Sequence, residues 1–312
     1  MCQKHVSANN CTNKVDIMAM RTIFRVCLSI CFFILSVACL AIEVPSEQLP
    51  QDKSVVTPHS HEKETTKIRE HHLKRLNDRL TITPHELRES CKYESEISTR
   101  PPEKRVVLTF DDGPEPVQTE FILQILKTYD IKATFFLIGS KAKNHPELVA
   151  QIRAAGHHTI ANHSWDHPNF HEINVATQKG EVLKTEEFLS NNQMSKLFRY
   201  PYGNSSCKTN KLLLSRGYRI VGWHVDSCDW AFDHAGNVDD KEALSCGVLA
   251  HNRADFVNHV VSSVRGHNGG IVLLHEIHPN TLKKLNEIII RLLDSGFVFG
   301  SIEDDDFKPS LR

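Results

Sequence analysis

The sequence predicts an α/β domain built on a parallel sheet or barrel, and three observations carry that expectation. Beyond Lys104, short apolar runs alternate with longer amphipathic ones, the order of β-α units. About seven such short runs follow one another without an internal repeat. The composition of the 312 residues, 40% hydrophobic and 24% charged, is that of an ordinary globular chain, and 14 Gly with 13 Pro exclude a collagen-like or wholly disordered one.

The chain opens differently. Arg21 and Arg25 precede a charge-free apolar run from Val26 to Ile42, after which Glu43, Pro45 and Glu47 restore polarity. This is the layout of an export signal, and a spanning helix needs about 20 apolar residues, so the run is marginal as a stable anchor. Ser36 and Ala38 offer a small-residue cleavage site before Cys39. An uncleaved anchor and lipid attachment at Cys39 are the alternatives, and Met18 or Met20 is a candidate start. Residues 1–42 are thus read as a signal or export segment. The protein is expected in the periplasm, in the cell envelope or outside the cell, touching a membrane only through this segment. Residues 43–102 are polar and mixed in charge, a linker or stalk, with Leu73, Leu76 and Leu80 at helical spacing near 62–80 and His59, His61, His71 and His72 read as solvated. With 37 basic against 38 acidic side chains there is no basic field to recruit nucleic acid.

Residues 103–312 form the predicted domain. Its strands are expected at Val106–Phe110, Thr134–Ile138, His158–Asn162, Leu197–Tyr200, Arg219–Trp223, Ile271–Leu274 and Phe297–Gly300. Helical patterns fall at Val117–Tyr129, Pro146–Ala155, Val175–Leu189 and Leu282–Leu293, and the stretch from Ala231 to Arg265 is polar until a last helix-like part. Five of the nine cysteines lie in or before the N-terminal segment, which leaves Cys91, Cys207, Cys228 and Cys246. An even four suits disulfides in an exported protein. Three pairings are open, with Cys228–Cys246, which bracket one loop-like stretch, the first to consider.

In such folds functional groups collect just after strand carboxyl ends. The first strand ends in Asp111, Asp112, Gly113 and Pro114; adjacent strand side chains face opposite ways, so both carboxylates share a site only if the chain turns between them. The third runs into His163, Ser164, Trp165, Asp166 and His167. Two imidazoles four residues apart reach one metal ion, and Asp112 would complete a three-ligand site with an open position for water. Two His and one Asp suit Zn2+, though Co2+ or Ni2+ fits the same ligands.

The segments TFDDGP, HSWDH, RYPYG (Arg199–Gly203), VDSCDW (Val225–Trp230) and LLHE (Leu273–Glu276) together resemble the ordered motifs of the polysaccharide deacetylases, the NodB-homology or carbohydrate esterase family 4 enzymes, over about Glu103 to Glu303. The resemblance implies a distorted (β/α) barrel and metal-dependent removal of acetyl groups from an N-acetylated polysaccharide, peptidoglycan or chitin-like. It makes Asp111 the general base and Asp112, His163 and His167 the metal ligands. Arg199 would orient Asp111, and the Tyr202 backbone N–H would face the oxyanion. His275 would protonate the leaving amine, oriented by Asp229, with His278 as its rival, a helix-start or surface residue. Pro201, Tyr202, Trp230 and Leu273 would bind substrate, while Trp223 is read as core. Glu276 stands where Asp is frequent in the family, a change expected to be tolerated. Three other readings use the same residues: an O-acetyl esterase, a catalytically silent carbohydrate-binding envelope protein, and a two-metal phosphoryl hydrolase, which would need a second carboxylate-rich ligand set.

Overall fold

The computed structural model describes residues 99–312 together with Glu70, Cys91 and Ile97. The export segment expected over 1–42, and all but Glu70 of the helix expected near 62–80, lie outside the described residues. Among those described, no helix is long and apolar enough to cross a membrane.

In chain order the elements are β1 (Arg105–Gly113), α1 (Gln118–Thr128), β2 (Ala133–Leu137), α2 (Gly139–Asn144), α3 (Pro146–Ala154), β3 (Thr159–Asn162), α4 (Val175–Ser190) and β4 (Leu197–Phe198). A 3-10 turn at Pro201–Gly203 leads to α5 (Cys207–Ser215), β5 (Arg219–Ile220), β6 (Val225–Asp226), α6 (Asp240–Cys246), α7 (Phe256–His267), β7 (Gly269–His275), α8 (Pro279–Asp294) and β8 (Val298–Phe299). β1 is buried along all but its first residue, as a central parallel strand covered on both faces must be.

The ladders between named strands are parallel, with neighbours β5-β4-β3-β2-β1-β7-β6 and β8 paired to the start of β1. The chain passes from β5 at one edge to β6 at the other through residues 221–224 alone. That short link rolls the sheet into a distorted (β/α) barrel whose seam is not a ladder. The C-terminus closes over one side of the seam: Val221 bridges Leu311, and Ile220 and Arg312 exchange backbone hydrogen bonds of 2.6 and 3.0 Å. Each expected strand has its counterpart, and β6, with Val225 its one apolar residue, is additional. The four expected helices correspond to α1, α3, α4 and α8, and α7 is the helix-like end of the Ala231–Arg265 stretch.

The helices bury different kinds of face. In α8, Leu285, Ile288, Ile289 and Leu292 recur at helical spacing and pack against the core. In α4 the buried set is mostly polar, with Gln178, Glu181, Thr185 and Glu186 beside Val182 and Leu189. Such a face is tolerable because its groups are partnered: Gln178 Nε2 donates to Phe170 O at 2.7 Å, Thr209 Oγ1 donates to Gln178 Oε1 at 2.7 Å, and Glu186 pairs with Arg216 at 2.9 Å.

Disulfides join Cys228 to Cys246, the pairing considered first, and Cys91 to Cys207. The second ties a residue of the segment read as linker to the start of α5. Ile97, from the same segment, donates its N–H to Trp223 O at 3.3 Å.

Candidate active site

The carboxyl ends of β1, β3 and β7 converge on one cleft, lined by Asp111, Asp112, His163, His167, Tyr200, Tyr202, Gly203, Trp223, Leu273 and His275. The turn that lets adjacent carboxylates share it is visible: Asp112 has φ 72°, and the β1–β2 register shifts between Asp111 and Gly113. Gly113 allows a close approach here, since a Cβ on it would run into the carboxyl of Glu276.

Asp111 is held on one side by Arg199, whose Nη1 donates to its Oδ1 at 2.7 Å and to Thr109 Oγ1 at 2.8 Å. Arg199 is 1% exposed and also reaches across the barrel seam, donating to Val221 O at 3.3 Å and Gly222 O at 3.0 Å. Its guanidinium lies 4.2 Å from the Phe136 ring centroid. Every one of its ties is thus to barrel interior or seam, which excludes a surface-charge role.

Asp112, His163 and His167 bring ligand atoms within 4.8 Å of one another. Asp112 Oδ1 is 3.4 Å from His163 Nε2 and 3.1 Å from His167 Nε2, and neither of its buried oxygens accepts a hydrogen bond. His163 Nδ1 lies 2.8 Å from Arg199 O, and a carbonyl only accepts. His163 Nδ1–H therefore donates to that carbonyl, and Nε2 is the ring nitrogen turned toward Asp112. Burial alone would raise the Asp112 carboxyl, but the neighbouring histidines, His167 foremost, outweigh it and hold it well below the usual carboxylate range. Burial drives His167 down to about 3. A buried, ionised carboxylate whose oxygens accept no hydrogen bond, beside two imidazoles with ligand atoms within 4.8 Å, is the donor set a divalent ion takes, so these residues fit one.

Opposite them stands His275 at the end of β7. Its Nδ1–H donates to Asp229 Oδ1 at 2.7 Å, and its backbone N–H donates to Asp229 Oδ2 at 2.7 Å. Thr281, in the first turn of α8, donates its hydroxyl to the same Oδ2. Burial works against a charged His275, yet Asp229 more than offsets it and raises the ring to about 10. Burial likewise opposes ionisation of Asp229, and His275 overcomes it, leaving Asp229 at about 2. His278 does begin α8, but it is 2% exposed, with its ring 5.3 Å from that of His275, so it is not a surface residue.

Tyr202 lines the cleft from the Pro201–Gly203 turn with φ 56°, a left-handed backbone that a tyrosine adopts reluctantly. Two expected substrate contacts are placed otherwise. Trp230 is 1% exposed and packed in the hydrophobic core, and Pro201 is buried in the turn; neither is among the cleft-lining residues. Leu273 does line the cleft, and so does Trp223, which sequence reading assigned to the core. At 7% exposure Trp223 is buried and cleft-lining at once, a distinction no sequence pattern draws. Thr109, which props Arg199, was visible within TFDDGP but carried no role.

The polysaccharide deacetylase family model matches residues 98–221. The peptidoglycan-N-acetylglucosamine deacetylase PgdA of Listeria monocytogenes is 33% identical over 204 residues, which is 64% of this chain and 38% of that protein. A peptidoglycan-N-acetylglucosamine deacetylase of Bacillus cereus is 31% identical over 208 residues, 65% of this chain and 88% of that protein. Among solved structures, the Bc1960 peptidoglycan N-acetylglucosamine deacetylase superposes with a TM-score of 0.56 at 29% identity, covering 71% of this chain and 95% of that one. This chain spans little more than a third of the Listeria protein but nearly all of the Bacillus one, and with a relative of that identity and coverage it belongs to the polysaccharide deacetylase family.

Proposed function

We propose that the protein is a metal-dependent N-deacetylase acting on the N-acetylglucosamine units of peptidoglycan. The observation that supports this most strongly is one cleft holding an Arg199-paired Asp111, a metal-competent Asp112–His163–His167 set and a His275 backed by Asp229. The choice of peptidoglycan is supported by the names its relatives carry. Zn2+ is the proposed ion, from the two-imidazole, one-carboxylate donor set. A divalent ion held there supplies Lewis-acid polarisation of the acetamide carbonyl and lowers the pKa of a water molecule.

The side chains do the rest. Asp111 accepts the proton of the attacking water, oriented by Arg199 so that one oxygen stays on the guanidinium and the other faces the cleft. The Tyr202 backbone N–H is assigned to the oxyanion that forms. As the C–N bond breaks, His275 gives a proton to the departing sugar nitrogen, so acetate and a free amine leave in equal amounts. Leu273 and Trp223 line the place for the acetyl methyl group. In this reading residues 1–42 direct export, 43–102 are a stalk whose end is tied to the domain at Cys91 and Ile97, and 103–312 work in the cell envelope.

The test is release of acetate and free amine from isolated peptidoglycan and from N-acetylglucosamine oligomers by the purified protein, with and without zinc. Equal acetate and amine, appearing only with metal, is the expected result. Acetate without amine would make it an O-esterase, and no product from zinc-loaded protein would overturn the catalytic reading.

A further inference from the structure

α4 contributes a carboxylate that the proposed reaction does not use. Glu181 is 7% exposed on the polar inner face of that helix. Its Oε2 accepts two backbone N–H groups, from Trp165 and Asp166, both at 2.8 Å. These two residues lie between His163 and His167.

The loop they belong to is conformationally costly. Ser164 and His167 have φ 70° and 56°, where non-glycine residues sit only when their surroundings over-determine them. Asn162 Oδ1 accepts from Ser164 N at 2.9 Å, and Ser164 Oγ accepts from His167 N at 3.1 Å. From the other side, the first N–H groups of α2, on Gly139 and Ser140, donate to Ser164 O and Trp165 O at 2.9 Å. Among these props Glu181 is the carboxyl side chain, reaching the loop from a separate helix; burial raises its pKa, and the two N–H donors work against that rise. Hydrogen bonds to an ionised carboxylate are about twice as strong as neutral ones. The Cα atoms of Trp165 and Asp166 are at most two peptide steps, about 7.6 Å, from that of a ligand histidine. A shift of this turn is therefore a shift of the imidazoles.

We infer that Glu181 is a positioning residue which sets the affinity of the Asp112–His163–His167 site for its metal by holding the His163–His167 loop in ligating shape, without itself touching the ion. This rests on the reading of those three residues as the metal ligands.

The experiment is zinc affinity of the metal-free full chain, measured by competition with a chromophoric chelator, alongside thermal unfolding of the same metal-free samples. Glu181→Ala is expected to weaken zinc binding about 10–100-fold, the range found for groups that orient a ligand. Glu181→Gln keeps an acceptor oxygen but loses the charge, and should weaken binding by less than about tenfold yet measurably. Val182→Ala, at the fully buried next position of the same helix, is expected to lower thermal stability and leave zinc affinity unchanged. Wild-type affinity in both Glu181 variants, or equal losses in Glu181→Ala and Val182→Ala, would overturn the inference while leaving the ligand set standing. If Glu181→Ala does not fold, the Glu181→Gln result decides alone. A wild-type chain that takes up no zinc would overturn the ligand assignment, and the inference with it.

Discussion

Asp112–His163–His167 and Asp229–His275–His278 are each built from one aspartate and two histidines, and each brings its ligand atoms within 4.8 Å. They differ in what the carboxylate already holds. Neither oxygen of Asp112 accepts a hydrogen bond, whereas Asp229 accepts three, from the His275 ring, the His275 backbone and the Thr281 hydroxyl. The first set leaves His167 neutral, with burial pushing its ring to about 3. In the second, Asp229 overcomes burial and raises His275 to about 10. The same residue types thus make a donor set suited to a cation in one place and a hydrogen-bonded Asp–His pair that holds a proton in the other. Hydrogen-bond saturation of the carboxylate, more than the composition of the cluster, separates the two chemistries.

The largest expected effect tests the first half of that contrast. His167→Ala should weaken zinc by about 100-fold or more, beyond the cost of changing a supporting residue, and turnover should vanish with it. His278→Ala should leave the zinc content at one ion per chain, because the second set would have to give up three hydrogen bonds to Asp229 to accept one. Two ions in the wild type, falling to one in His278→Ala, would break the comparison. Elemental analysis of dialysed protein decides. Next in size, Asp111→Asn should keep the zinc and lower kcat by about 10²–10⁴-fold, the span of general-base catalysis. Near-normal kcat with zinc bound would remove Asp111 from the base role.

Asp229→Asn probes the second half and should act more mildly. Without the carboxylate the His275 ring loses the partner that offsets its burial, so its pKa should fall from about 10. A leaving-group acid works only while protonated. The alkaline limb of the kcat profile should then move to lower pH, with kcat down by about 10–100-fold near neutrality. An unmoved limb would mean that another group sets it.

How much of this was legible in the sequence depended on which physical signal a residue leaves. Strands buried throughout or nearly so, such as β1, β2 and β7, leave apolar runs that could be read, whereas β6, with one apolar residue of two, leaves none. The three ligands were legible because DD at a strand end and His-x-x-x-His carry that chemistry in their spacing, while the base role of Asp111 and the supporting roles of Arg199 and Asp229 were expected from the family resemblance. The other supporting contacts were not legible. Glu181 lies on a helix whose buried face is polar, so apolar periodicity says nothing of which way it points. Thr281 meets Asp229 across 52 residues of chain, and Arg199 reaches the seam carbonyls from 22 and 23 residues away. Trp230 packs in the core and Trp223, also buried, lines the cleft, since adjacency to a motif does not tell whether an indole faces core or cleft.

The smallest effect concerns a third buried carboxyl that lies between the two cases. Glu276 follows His275 directly and is fully buried, with Oε2 accepting the Thr119 hydroxyl and Oε1 accepting nothing. It has one neutral donor, against the histidines that hold Asp112 ionised and the three donors of Asp229. Burial accordingly prevails and pushes Glu276 up to about 8, so it is mostly protonated at neutral pH. The unfolded chain releases this proton near the ordinary value of 4.5. Between about 4.5 and 8 the folded state therefore binds more protons than the unfolded one, and the stability this group contributes below that window is lost as pH rises through it. Glu276→Gln removes the titrating proton while keeping an acceptor for Thr119. The unfolding free energy of the metal-free protein, from urea titrations, should fall across the window in the wild type by up to about a few kcal/mol, and fall less in Glu276→Gln. Parallel profiles would mean that Glu276 is already ionised in the folded state. A donor-poor buried carboxylate would then hold its charge without histidines, and donor count would no longer separate the two clusters.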